Sequence, residues 1–329
     1  MNCKAYTITS LAAGIAACLV ACEKVNEYTG PLPDLKLVLY SFIQPDSLVR
    51  VEVKKTRYFS SETIEQPENV TGEVYINGQV AGILVKEEAS PWRPVPRYVA
   101  DARPRPGDRV RVVARADGLQ EAWGEVTLPS GNTPVRVDSL LVRNKEKVEQ
   151  ARYTIHVDDK ERERHYYRLV IETETYELVN GERYNSASSY SFNPENDPLL
   201  VGGNNTWLNE DVVPNRYRVF TNESFEGEGY TLRVSVAARN TYRVEYDRYG
   251  EKIVQRQVMN HRVSLVRLDE DTYLHLKSLM LLEMGQDVME PVQVHSNVQG
   301  GVGIIGHACY STRSFEMPEI EWAEMPYGY

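Results

Sequence analysis

Apolar and polar positions alternate with period two along most of the chain, the pattern of strands that keep one wet face. Leu35, Leu37 and Leu39 share one face of a first strand, and Val51 and Val53 one face of a second. In "VYINGQVAGILV" the pair Asn77-Gly78 separates two apolar runs. It predicts a hairpin, because both residues tolerate the positive φ that a type I′ turn requires. After a proline-rich loop from Pro91 to Pro106, Gly107-Asp108 opens a strand with Val110, Val112 and Ala114 inward. Ala116-Asp117-Gly118 then turns into another strand, carrying Val126 and Leu128. These elements predict an N-terminal Ig-like β-sandwich over 35–131, with "SGNTPVRVD" as the boundary segment.

The second half, 132–329, repeats the alternation. "ARYTIHV" sets Ala151, Tyr153, Ile155 and Val157 on one face, and "YTLRVSV" does the same with Tyr230, Leu232, Val234 and Val236, turning Thr231, Arg233 and Ser235 to solvent. One segment has helical spacing, near 269–284: in "DEDTYLHLKSLMLLEMG" Asp269 is placed to cap, Glu270 and Asp271 favour the positive end of the helix dipole, and Gly285 closes the last turn. Tyr273, Leu276, Met280 and Met284 form its apolar stripe. The expected fold is all-β and mostly antiparallel, with tandem sandwich-like domains and one or two packed helices in the second.

A single stretch breaks the pattern. From Leu11 to Ala21 the chain is uninterruptedly apolar, but as a helix these positions reach only about 16 Å, short of a hydrocarbon core of about 30 Å. With Lys4 ahead of it and small residues before Cys22, it has the layout of a secretory signal peptide over 1–21. The tetrad Leu19-Val20-Ala21-Cys22 resembles the lipobox of bacterial lipoproteins, in which diacylglycerol is joined to the cysteine sulfur and the chain is cut on its amino side. That resemblance makes Cys22 the acylated first residue and "CEKVNEYTGPLPD", 22–34, a polar tether.

Composition agrees with export and a folded body. Of four cysteines, Cys3 and Cys18 leave with the leader and Cys22 carries lipid, so Cys309 has no intrachain partner. Stability then rests on core burial, for which 42% hydrophobic residues are ample. A formal net charge of −10 argues against nucleic acid as a partner, and a mean hydropathy of −0.45 does not fit a polytopic helical membrane protein.

Chemical motifs are sparse. "GVGIIG", Gly301 to Gly306, matches G-x-G-x-x-G, but the dinucleotide fingerprint needs a following helix and an acid about twenty residues on. Here "HACYSTRSFEM" alternates like a strand, so the glycines read as a bulge or a close backbone approach. There is no G-x-S-x-G, H-E-x-x-H or C-x-x-C. The six histidines lack metal-ligand spacing, with His156 on a polar strand face and His275 at the exposed side of the helix. The acidic pairs Asp158-Asp159 and Glu172/Glu174 read as turn and strand-face charges, and "NPENDP", 193–198, as a polar loop rather than a calcium loop. No catalytic, cofactor or metal residue is therefore assigned. Twenty-one tyrosines against six phenylalanines point instead to rings with one wet end, suited to ligand and partner surfaces. Trp207 in "GGNNTWLNED", and Tyr242, Tyr246 and Tyr249 around the turn at Gly250, are the candidate binding residues.

"EPVQVHSNVQGGVGIIGHACYS", preceded by "LDEDTYLHLKSL", resembles the closing signature of the Bacteroidota lipoproteins grouped as domain of unknown function 4249. The likeness extends upstream through "VFTNESFEGEGYTLRV", "DDKERERHYYRLVIE" and "LKLVLYSFIQPDSLVRVEVKKT" to the lipobox. It implies an outer-membrane lipoprotein, often paired with TonB-dependent transporters, with a β-rich fold and no established chemistry, and the expected role is that of a non-catalytic accessory or ligand-binding component. A structural subunit and a secreted glycan or peptide hydrolase are the alternatives. The residues carried over are Cys22 for lipid and Ser296, Asn297, Gly300, Gly301 and Gly303 for the signature, read as structural. Only Glu23 and Glu27 follow the cysteine as acids, so the periplasmic and cell-surface faces of the membrane both stay open.

Overall fold

The computed structural model describes residues 34–58, 66–89, 96–131, 134–143, 149–159, 162–201, 215–238, 240–246, 248–250, 252–284, 293–317 and 319–321. The chain forms two units, Met1–Asp34 and Leu35–Tyr329. Within the second, the strands run β1 (Leu37–Ile43), β2 (Val49–Lys55), β3 (Thr71–Ile76), β4 (Gln79–Ile83), β5 (Val85–Glu87), β6 (Arg97–Ala100), β7 (Arg109–Arg115) and β8 (Ala122–Thr127). Next come β9 (Val135–Arg143), β10 (Glu149–Asp158), β11 (Tyr166–Val179), β12 (Glu182–Ser189) and a one-turn helix, α1 (Pro198–Val201). The chain continues through β13 (Val219–Thr221), β14 (Gly229–Ala237), β15 (Asn240–Tyr246) and β16 (Lys252–Leu268) to helix α2 (Glu270–Met284). It ends in β17 (Val302–Glu316) and β18 (Glu319–Glu321).

The fold is all-β, sandwich-like and mostly antiparallel. The main path of the largest sheet is β12-β11-β16-β17-β1-β2-β6-β5, with smaller sheets β14-β10-β9 and β4-β3-β7-β8. Parallel pairing occurs where β17 lies beside β1 and β18 beside β15. Strand β17 thus joins the end of the chain to its first strand, so the large sheet draws on residues from both sides of position 131.

The apolar residues form three clusters. The first gathers Leu37, Leu39, Val51, Val53, Val74, Val110, Val112, Ala114, Val126 and Leu128 with Val298 and Ile305 from the end of the chain. A second holds Ala151, Tyr153, Ile155, Val157, Leu232, Val234 and Val236 with Tyr167, Leu169 and Ile171 of β11. The third lies under α2, where Leu276 and Met280 meet Val219, Val266, Leu268 and Ala308.

Local chemistry sets the element ends. Asn77 (φ 51°) and Gly78 (φ 84°) make the hairpin between β3 and β4, and the Asn77 side chain ties it to the next hairpin, accepting from Arg109 N–H at 3.0 Å and donating to Asp108 at 2.8 Å. Asp269 caps α2, accepting from the Thr272 N–H at 3.0 Å and from its hydroxyl at 2.7 Å. Tyr273 is half-buried on the helix stripe, while the Met284 side chain and Gly285 lie outside the described residues.

Two polar positions differ from the sequence expectation. Ser235 is buried, not solvent-facing: the backbone of Asn193 pairs with it in both directions, at 2.8 and 2.9 Å, and covers it. His275 is only 1% exposed, because its ring packs edge-on to Tyr40 and its Nδ1 meets the His295 carbonyl at 2.6 Å.

Candidate functional site

The glycine-rich signature builds the passage by which β17 reaches β1. Asn297 stands in for a strand residue there: its Oδ1 accepts the Ile305 N–H at 3.0 Å and its Nδ2 donates to the Ile305 carbonyl at 2.9 Å. Ser296 Oγ accepts from Val298 N–H at 3.3 Å. A side chain at Gly300 would run into the Glu121 carbonyl, one at Gly303 into the Leu39 carbonyl, and one at Gly301 would sit 2.6 Å from the Leu37 carbonyl oxygen. These glycines let backbones touch, and the chain continues from them as strand β17 rather than as a phosphate-binding helix.

Around this passage the histidines meet acids and carbonyls. His295 Nε2 lies 2.7 Å from Asp271, which also accepts from Asn297 Nδ2 at 3.3 Å. Ser278, His295 and Asp271 are the residue types of a hydrolase triad, but their contacts differ from one. Ser278 Oγ donates to the His275 carbonyl at 2.8 Å and accepts from the His295 backbone N–H at 2.8 Å, while the His295 ring is turned to Asp271. Burial pushes the pKa values of His275 and His307 below the ordinary histidine value. Elsewhere Asp159 is buried with the His165 ring and the Tyr167 hydroxyl, at 3.1 and 3.0 Å.

The polar run at 193–198 folds onto protein partners. Asn193 Oδ1 accepts from Glu195 N–H, Glu195 pairs with Arg152 at 2.9 Å, and Asp197 accepts from Leu199 N–H at the start of α1. Among the described residues no group of three or more His, Cys, Asp or Glu side chains has the geometry to hold a metal.

A concavity of about 330 Å³ opens on the face of β1, β2 and β6 turned away from the first core, lined by Tyr40, Ser41, Phe42, Arg50, Val51, Glu52 and Arg97. Strand alternation explains its makeup. Leu39, Val51 and Tyr98 point into the core, so Tyr40, Phe42, Arg50, Glu52 and Arg97 point outward. Phe42 is 45% exposed. Lys54 lies 5.9 Å from the Tyr40 ring and 2.8 Å from Glu52, and Arg97 pairs with Glu87. The Ser41 hydroxyl donates to the Arg50 carbonyl, with no base beside it in that bond. Rings flanked by charges of both signs suit stacking and ion pairing with a ligand.

Of the binding residues singled out by sequence, Tyr246 and Tyr249 stand 69% and 75% exposed at the β15–β16 hairpin, with Arg248 4.8 Å from the Tyr249 ring. Tyr242 pairs with Arg256 in that hairpin, its side chain outside the described residues, as are Trp207 and Cys22. The hairpin and the concavity involve different strands. Sequence reading missed Tyr40 and Phe42, although the alternation in "LVLYSFI" already set them opposite Leu37 and Leu39.

The model of a family described as a domain of unknown function, DUF4249, matches residues 25–314. No curated protein matches the chain.

Proposed function

The chain belongs to the DUF4249 family, and we propose that it is a non-catalytic, lipid-anchored binding protein of the outer membrane, serving a TonB-dependent transporter as accessory or ligand-capture component. Acylation at Cys22 supplies the anchor. Burying acyl chains contributes about 0.8 kcal/mol per CH₂, and the anchor confines the folded body to two dimensions beside its partner, raising effective concentration. The observation that carries the binding role is the concavity with Tyr40 and half-exposed Phe42 among Arg50, Glu52 and Arg97.

A second reading, a structural subunit of an outer-membrane complex, draws on a different surface. Val80, Ile83 and Val85 are 59%, 64% and 59% exposed near the free edge formed by β4, and an edge with apolar side chains is a template for pairing with another chain. Purification of the acylated protein from its own envelope in mild detergent, as wild type and as Phe42→Glu, separates the two. A β-barrel partner or small ligand lost on Phe42→Glu supports the concavity as the binding surface. A stoichiometric barrel retained by Phe42→Glu and released by Val80→Lys supports the subunit. Wild-type protein that comes away with neither contradicts both.

A further inference from the structure

The concavity on β1, β2 and β6 carries charges of both signs in a set order. Register sets Tyr40 opposite Glu52, and the same pairing carried two residues further sets Phe42 opposite Arg50. Arg50 in turn lies beside Val99, and Val99 beside Val85, which is 59% exposed. The exposed Arg50 therefore stands between an aromatic ring and valines, whereas Glu52 stands beside the Tyr40 ring. Helix α2 borders this face on its β17 side, where Thr272 lies against Gly306, the residue paired with Phe42, and His275 packs edge-on to Tyr40.

Each half of the concavity suits one end of a zwitterion. Lys54 shows what the Glu52 half receives, since its ammonium lies 2.8 Å from the Glu52 carboxylate and 5.9 Å from the Tyr40 ring, an ion pair backed by a cation–π contact. A carboxylate has acceptor sites on both oxygens, so a second ammonium can join it. In the other half the Arg50 guanidinium contacts the Leu48 carbonyl at 3.4 Å, a long bond that a carboxylate held fork to fork outcompetes. The Phe42 ring beside it suits an apolar group attached next to that carboxylate.

Charge order and spacing narrow the ligand. A molecule with carboxylates alone sets one beside Glu52, one with ammonium groups alone sets one beside Arg50 or Arg97, and like charges in contact oppose binding. A neutral sugar answers neither charge. Arg50 and Glu52 are two residues apart on one face of β2, about 7 Å along the strand, and an extended dipeptide spans about 7 Å where a single amino acid spans half of that. The volume of about 330 Å³ lies at the small end of ligand sites, which run from about 300 to 1,000 Å³.

We propose that the concavity takes a dipeptide with free termini and an apolar last residue, its carboxylate on Arg50, its ammonium at Glu52 and Tyr40, and its last side chain on Phe42. This rests on the concavity being the binding surface and names what binds there. The experiment titrates the purified mature protein in mild detergent, by calorimetry, with alanylphenylalanine, its C-terminal amide, its N-acetyl derivative and maltotriose. The free dipeptide should bind about tenfold or more tighter than either blocked form and than maltotriose. Arg50→Gln should lose about tenfold for the free dipeptide and little for the amide, and Glu52→Gln about tenfold for the free dipeptide and little for the N-acetyl derivative. Both substitutions lie on the outer face of the sheet, and thermal unfolding of each variant checks that it is folded. Equal affinity for the free and blocked dipeptides, no binding of the free dipeptide at millimolar concentration, unchanged affinity in either folded variant, or tighter binding of maltotriose would overturn the assignment. Should the dipeptide fail while Phe42→Glu still releases a partner from the envelope, the ligand class falls and the concavity stands as the binding surface.

Discussion

The side chain of Asn297 is hydrogen-bonded to the backbone of Ile305 in both directions, at 3.0 Å to the N–H and 2.9 Å to the carbonyl. A carboxamide thereby does the work of a strand neighbour where β17 comes alongside β1. Asn297→Ala strands a buried N–H and a buried carbonyl, each worth about 1–3 kcal/mol when left unpaired. Chemical denaturation should show a loss of roughly 2–6 kcal/mol, and Asn297→Asp, which sets a second carboxylate by Asp271, should do no better.

Two glycines with positive φ should respond unequally to alanine. Gly78 (φ +84°) has open space around it, so Gly78→Ala bears only the left-handed strain of about 1–2 kcal/mol. Gly303 (φ +117°) lies against the Leu39 carbonyl, so Gly303→Ala must also push β17 from β1 and should lose more than about 3 kcal/mol. Thermal unfolding of the pair makes the comparison.

Acid should weaken the fold through buried histidine. His261 is fully buried, its Nδ1 2.7 Å from the Tyr153 hydroxyl, and burial lowers its pKa from 6.5 to about 4. The unfolded chain therefore takes up a proton that the folded one refuses. Stability is full above about pH 6.5 and falls between there and about pH 4, by up to about 1.4 kcal/mol per unit for this group. His275 and His307 are pushed the same way. Urea titrations at pH 7.5, 6 and 5 should show this decline, and His261→Gln should flatten it by about one proton's worth.

Cys309 is a buried free thiol whose pKa burial raises to about 11. In the native protein it should resist Ellman's reagent at pH 8, and in guanidinium it should react fully. With Cys22 acylated the denatured mature protein yields one thiol. With Cys22 free it yields two.

The large pattern was written in the sequence because strand alternation is a local property. The inward faces of β7, β10 and β14, the Asn77-Gly78 turn and the Asp269 cap all depend on residues a few positions apart. What stayed hidden depends on distant pairing. Ser235 looked solvent-facing until Asn193, forty-two positions earlier, paired with it. His275 looked exposed until Tyr40 and the backbone at His295 closed over it. The parallel pairing of β1 with β17 joins the two ends of the folded body, and no local rule gives that register.

The lipid anchor proposed at Cys22 would determine which partners this protein meets, and the mass of its first peptide tests that proposal most directly. Mass spectrometry of protein taken from its native membrane should find a chain starting at Cys22, carrying diacylglycerol on the sulfur. A start at any other residue, or a Cys22 whose thiol is unmodified, would contradict the account.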